Sequence, residues 1–306
     1  MPSTSDSNIN SLITFSQNLA DIVEEVGKSI VALNGQRFGC SGIYWREGTI
    51  VTSAESIRQG KGVTATLPNK DTTPVTLLGS DRSTDVAVFK SDIELPIAPI
   101  DSDCELKVGH LAIAVGREKS RGLIASQGII STVGGSWRST YGGYIDRFIR
   151  LDLNFYSGSA GSALVNAAGK VVGFNTTGPR RSVLTIPAAT VDRVVTQLLE
   201  QGHIRRGYLG LAMQPVYLPD SLIAEFSLQK QGLMIVNVEP QSPAAAAGIL
   251  LGDILTKIET TPVAKLRDIQ VFLEPQNVGK AIAIQLIRAG KLQNLSLTIG
   301  DSGNRQ

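Results

Sequence analysis

Residues 158–173 read GSAGSALVNAAGKVVG, and this stretch decides the fold of the first part of the chain. The closely set small residues Gly158, Ser159, Ala160, Gly161 and Ser162 let the backbone turn sharply and aim successive N–H groups at one point. Ala163 to Val165 is then a short apolar strand, a polar turn follows, and Val171 to Asn175 is the next strand. Upstream the same rhythm repeats. Short β-prone runs at Ile30–Leu33, Ser41–Tyr44, Thr49–Thr52, Val63–Leu67, Val75–Gly79, Val86–Lys90, Leu111–Val115, Gly128–Val133 and Ile149–Leu153 are separated by Gly, Asn, Asp and Ser. Many short strands at turn-punctuated intervals predict a β-sandwich or barrel rather than βαβ units.

Two helices bracket this region. Leu19, Ile22, Val23 and Val26 follow the i, i+3, i+4, i+7 pattern, which predicts an amphipathic helix over Asn18–Lys28, with residues 1–13 disordered or extended ahead of it. Pro187 to Gln201 is the second, with Val191, Val194, Val195, Leu198 and Leu199 on one face and Gly202 just past its end. From Tyr208 the composition changes to strands with two short helices, near Pro243–Ala247 and Leu266–Glu274. The expected division is a first domain at 14–202, a polar linker at 203–206, a second domain at 207–302 and a tail at 303–306.

With 306 residues the chain holds two domains at roughly 150 residues each, so each can bury its own core without disulfides. Lys and Arg total 29 against 27 Asp and Glu, which argues against nucleic acid or anionic lipid as a partner. Two Cys and two His exclude a Cys/His zinc framework; no metal and no cofactor are expected, and Cys40 and Cys104 read as reduced thiols. Imidazole catalysis would have only His110 and His203 to draw on. The start, MPSTSDSNIN, lacks the basic and apolar segments of a secretory signal, and no run approaches the roughly 18 apolar residues of a membrane span. A cytoplasmic location is expected, or a periplasmic or other exported one if a signal has been removed.

GSAGSAL resembles the G-N-S-G-G-P-L motif of trypsin-like proteases of the HtrA/Deg family, in which the serine is the nucleophile. Here that position is Ala160. Ser41-Gly42 followed by IVTSAESI at 50–57 is similar to the family's S-G … I-V-T-N-x-H-V, placing Glu55 at the general-base histidine. GSDRSTDVAVFK at 79–90 is similar to G-x-D-x-x-T-D-L-A-V-L-K, placing Asp85 at the triad aspartate. The resemblance implies a mainly β chain, a trypsin-like double six-stranded β-barrel, with an oxyanion-hole-like turn at Gly158 and Ala160.

The chemistry of those three positions opposes acyl transfer. That reaction needs an activated hydroxyl and an imidazole that takes its proton and returns it to the leaving amine. Ala160 has no heteroatom, and Glu55 beside Asp85 makes a like-charge pair that raises one carboxyl pKa. Ser157, Ser159 and Ser162 are the neighbouring hydroxyls, but the side chains of a tight turn point in different directions. Asp85 then reads as a carboxylate hydrogen-bonding local backbone, and Arg180, Arg181, Arg205 and Arg206 as solvated charges.

The second domain opens with Tyr208-Leu209-Gly210-Leu211, followed by GLMIV at 232–236, SPAAAAGI at 242–249 and GDIL at 252–255. This is similar to the PDZ domains of HtrA proteases. The resemblance implies that Tyr208, Leu209, Gly210 and Leu211 present N–H groups to a peptide's terminal carboxylate while the adjoining strand edge pairs with its backbone. Leu211, Ile269 and Leu273 are expected to line the pocket for the terminal side chain. The leading expectation is therefore an inactive HtrA-like homologue that binds peptide C-termini or unfolded polypeptides, in quality control or as a scaffold. The rival is a serine endopeptidase whose natural residue 160 is Ser or whose site is non-standard. A homotrimer held through N-terminal aromatic contacts, Phe15 the candidate, or an assembly with active relatives, is what the family implies.

Overall fold

The structure, a computed structural model, describes residues 4–35, 38–57, 62–156 and 158–302. The chain divides into two compact units at Gly202/His203, each with its own core.

The first unit is built from two antiparallel β systems. One is a seven-stranded sheet in the order Thr72–Pro74, Thr64–Thr66, Ile30–Gly35, Phe38–Arg46, Thr49–Ser53, Val86–Lys90, Thr76–Asp81. Its two edge strands are consecutive in sequence with only Val75 between them, so the sheet curls until its edges lie side by side. Pro74 has no N–H to carry the ladder across that seam. The first barrel is thus a curled sheet of seven strands, and no ladder joins its two edges among the described residues. Val31, Leu33, Ile50 and Phe89 fill its interior. The other system is a closed six-stranded barrel of Phe148–Asp152, Val183–Pro187, Val171–Thr177, Ala163–Val165, Leu111–Glu118 and Gly122–Gly134, filled by Ala112, Ile130, Ile149, Leu164 and Val172. Helix α2 (Ala188–Gln201) buries Val191, Val194, Val195 and Leu198 and ends on Gly202 in the left-handed region.

Helix α1 runs Thr4–Gly27, so residues 4–13, expected to be disordered or extended, are helical. The apolar period extends backwards from Leu19 through Ile13, Leu12 and Ile9, a continuation hidden by the surrounding Ser, Thr and Asn. Its last turns pack down, with Val26 buried. The buried Arg117 guanidinium donates to Gly27 O at 2.9 Å and Ile30 O at 2.6 Å, satisfying carbonyls where α1 ends.

The second unit is a sheet in the order Leu211–Tyr217, Gln231–Val238, Ile254–Ile258, Ala281–Arg288, Lys291–Thr298, with Gly207–Tyr208 paired to Gly300–Asp301. Among the described residues three short α-helices accompany it rather than two: α3 (Asp220–Phe226), α4 (Pro243–Ala246) and α5 (Leu266–Ile269). Ser242 caps α4 by accepting the Ala245 N–H. Helix α5 stops well before Glu274 and gives way to turns ahead of Pro275. The buried Asp253 carboxylate accepts two hydrogen bonds from Arg288, at 2.8 and 2.7 Å, and one from the Leu250 N–H, fixing the turn into the central strand.

Candidate functional site

The three positions aligned with a catalytic triad are brought together by backbone and hydroxyl contacts. Asp85 follows a tight turn at the mouth of the Val86–Lys90 strand, at φ 60°, and is 8% exposed. Its carboxylate accepts Ser53 Oγ at 2.9 and 2.8 Å and the Glu55 N–H at 2.7 Å. The Thr176 side chain also acts on it, favouring the charged form. Burial pushes the Asp85 carboxyl up to about 6. The Thr176, Glu55 and Ser53 donors pull the other way, and the Glu55 charge adds the smallest upward push. Burial, rather than the expected like-charge pair, is what mainly shifts this group. Glu55 itself turns its side chain to solvent and contributes its backbone to Asp85.

Ala160 reaches the same site through Ser41. The Ser41 N–H donates to Ala160 O at 2.8 Å, and Ser41 Oγ donates to Gly158 O at 2.8 Å. Ser41 O in turn accepts Thr52 Oγ1 at 2.6 Å, one residue before Ser53. The Ala160 methyl packs against the core of the first sheet. Gly158 and Gly161 hold φ of 84° and 78°, and a Cβ on Gly161 would collide with Ser41 O and Thr52 Oγ1. Among the described residues the N–H groups of Gly158 and Ala160 meet no protein acceptor, whereas Ser159 N–H bonds Tyr156 O at 3.0 Å. A cavity of about 330 Å³ opens beside Gly158, lined by Asn34, Gly39, Cys40, Arg117 and Glu118.

The neighbouring hydroxyls are spoken for. Ser159 Oγ accepts the Tyr156 N–H at 3.2 Å, and the buried Ser162 Oγ accepts Asn175 Nδ2 at 3.2 Å. Ser157 lies outside the described residues. His110 closes a turn with Lys107, and His203 belongs to the second unit, 3.3 Å from Asp301. Arg180 and Arg181 are exposed at a hairpin tip, at φ 55° and 60°. Cys40 and Cys104 are both free thiols, and burial pushes Cys40 up to about 11. Among the described residues no group of three His, Cys, Asp or Glu side chains is placed to hold a metal ion.

In the second unit a groove of about 300 Å³ is lined by Tyr208, Leu209, Gly210, Leu211 and Leu273 of the expected set, and also by Met213, Asn237 and Glu239. Leu211–Tyr217 is an edge strand of its sheet, so one side of it is open to pairing. Gly210 turns the chain at φ 78°, its N–H without an acceptor among the described residues, and a Cβ there would press on Ser242 Oγ at 2.6 Å. Ile269 does not line this groove: it is 2% exposed and part of the core, because α5 is a single turn whose inward face carries it. Sequence reading missed Thr176 and Glu239, whose places depend on pairing between distant strands.

A trypsin-like peptidase domain family matches residues 40–174 and a PDZ domain family residues 207–299. The serine endoprotease DegS of Haemophilus influenzae is 28% identical over 278 residues, 87% of this chain and 78% of that protein. A probable periplasmic serine endoprotease, DegP-like, of Brucella suis is 28% identical over 268 residues, 84% of this chain and 51% of that one. The solved serine endoprotease of Yersinia pestis has a TM-score of 0.71 at 27% identity, covering 92% of this chain and 96% of that one. The chain combines a trypsin-like peptidase domain with a PDZ domain, and its relatives and structural neighbours are HtrA-type serine proteases. A second HtrA-type structure, the protease AlgW with a tripeptide, has a TM-score of 0.67 at 26% identity, again covering 92% of this chain and 96% of that one. The chain spans about half the length of the Brucella relative. The periplasmic naming of that relative gives no support to the expected cytoplasmic location. Among the described residues no helix is long and apolar enough to cross a membrane.

Proposed function

We propose that this chain is a proteolytically inactive HtrA-family protein that binds peptide C-termini or unfolded polypeptides through its PDZ unit, in quality control or as a scaffold. The observation that carries the reading is Ala160, a core-packed methyl at the place where the family's mechanism needs a hydroxyl. Asp85 supports it. In the family this carboxylate orients an imidazole; here it holds the Glu55 backbone and the Ser53 hydroxyl, and no imidazole adjoins it among the described residues. The N–H groups of Gly158 and Ala160, which meet no acceptor among the described residues, favour an oxyanion-hole-like turn that has outlived its nucleophile. In the PDZ unit, the open edge strand and the left-handed Gly210 favour capture of a peptide terminus. Phe15, 49% exposed on α1 beside the exposed Leu12, favours assembly as a homotrimer or with active relatives.

The test is incubation of the purified chain with unfolded casein beside a variant carrying Glu55→His and Ala160→Ser. No cleavage by the unmodified chain is expected. Cleavage that survives removal of contaminating proteases overturns the inactive reading in favour of a non-standard protease. Activity in the double variant alone would add that Asp85 and the turn still support the family chemistry.

A further inference from the structure

Leu211 pairs with Val238 and Ala212 with Asn237 across the first two strands of the PDZ sheet. Leu211 and Val238 pack on the core, so Ala212, Asn237 and Glu239 lie on the opposite face, because successive strand residues alternate. Glu239 stands level with the Gly210 turn, since its N–H donates to Gly210 O at 2.9 Å. The Tyr208 hydroxyl donates to its carboxylate and holds it at the rim of the groove.

A peptide added to the Leu211–Tyr217 edge obeys the same alternation. With its last side chain directed inward beside Leu211 and Leu273, its penultimate side chain projects onto the outer face. It must reach across one strand, about 4.8 Å wide, to arrive at Glu239. Ala212, a methyl, leaves that path open, and a Lys or Arg stem is long enough to cover it. The terminal carboxylate at Gly210 would also lie near the Glu239 charge, a like-charge approach that a cation between them relieves.

We propose that Glu239 selects C-terminal peptides whose penultimate residue is Lys or Arg. This rests on the reading of the groove as a C-terminal peptide site. The partner is thus a polypeptide ending in a basic residue followed by an apolar one.

Fluorescence anisotropy with the full chain tests it, using labelled decapeptides ending in Leu, Val or Phe, each with penultimate Lys, Ala or Glu, and amidated counterparts. Penultimate Lys is expected to bind about threefold to fivefold tighter than Ala, the range of a partly exposed ion pair, and Glu weaker than Ala. Glu239→Gln keeps an acceptor for Tyr208 and should level the series; Glu239→Lys should reverse it. A level series in the unmodified chain, or an order unchanged by Glu239→Gln, overturns the selection while leaving the groove reading intact. Equal binding of amidated and free peptides, or no binding by any, overturns both.

Discussion

Asp85 carries the pH dependence of the first unit. Its carboxyl is held at about 6 in the folded chain against an ordinary 3.8, chiefly by burial. A raised carboxyl means that the folded state holds the proton more tightly. The associated stability is complete below about 3.8 and declines as pH rises through about 6. At about 1.4 kcal/mol per unit the decline is at most about 3 kcal/mol. Asp85→Asn should remove it, so the difference between natural and variant unfolding free energies, measured by urea titration from pH 3.5 to 7, should change in that window and be flat above it. A constant difference would contradict the buried-carboxyl account. The two thiols offer a second contrast. Cys40 is buried with its pKa pushed up to about 11, while Cys104 is partly exposed, so alkylation of the native chain at pH 8 should label Cys104 first and Cys40 only on unfolding. At this scale the sequence carried much of the reading: Glu55, Asp85 and Ala160 stand in short motifs that resemble the family's triad segments.

The turn over 158–161 is held by local geometry. Gly161 lies in the left-handed region against Ser41 O and Thr52 Oγ1. Gly161→Ala therefore incurs both a backbone and a steric cost, roughly 2–4 kcal/mol in all, and should lower the urea midpoint accordingly. An unchanged midpoint would show that the turn can relax away from Ser41. In the PDZ unit, Gly210→Val strikes Ser242 in the same manner and should abolish peptide binding while the core strands keep their circular dichroism. Elements were read unevenly. Strands bounded by Gly and Asn announced themselves, whereas the polar start of α1 concealed its Ile9, Leu12 and Ile13 stripe, and α3 has too few residues to show a period.

At the scale of the molecule, the two units each close their own core. The first half of α1 is exposed on every described face, and an isolated helix that short is marginal in water, which favours a partner for it. On the proposed assembly, the natural chain should sediment as an oligomer and Phe15→Asp with Leu12→Asp as a monomer in sedimentation velocity; a natural chain that is already monomeric would contradict the proposal. What the sequence determined by itself is the inventory: two units, β-rich, and which side chains stand at 55, 85 and 160, because side-chain chemistry at motif positions is local information. Only the tertiary structure decided that burial lifts Asp85, that the Ser53 hydroxyl and the Glu55 N–H satisfy it, that Ile269 belongs to the core, and that Glu239 rims the groove. Those facts arise where strands far apart in sequence pair, and the dielectric, the hydrogen-bond partners and the facing side chains at such junctions are set by neighbours in space.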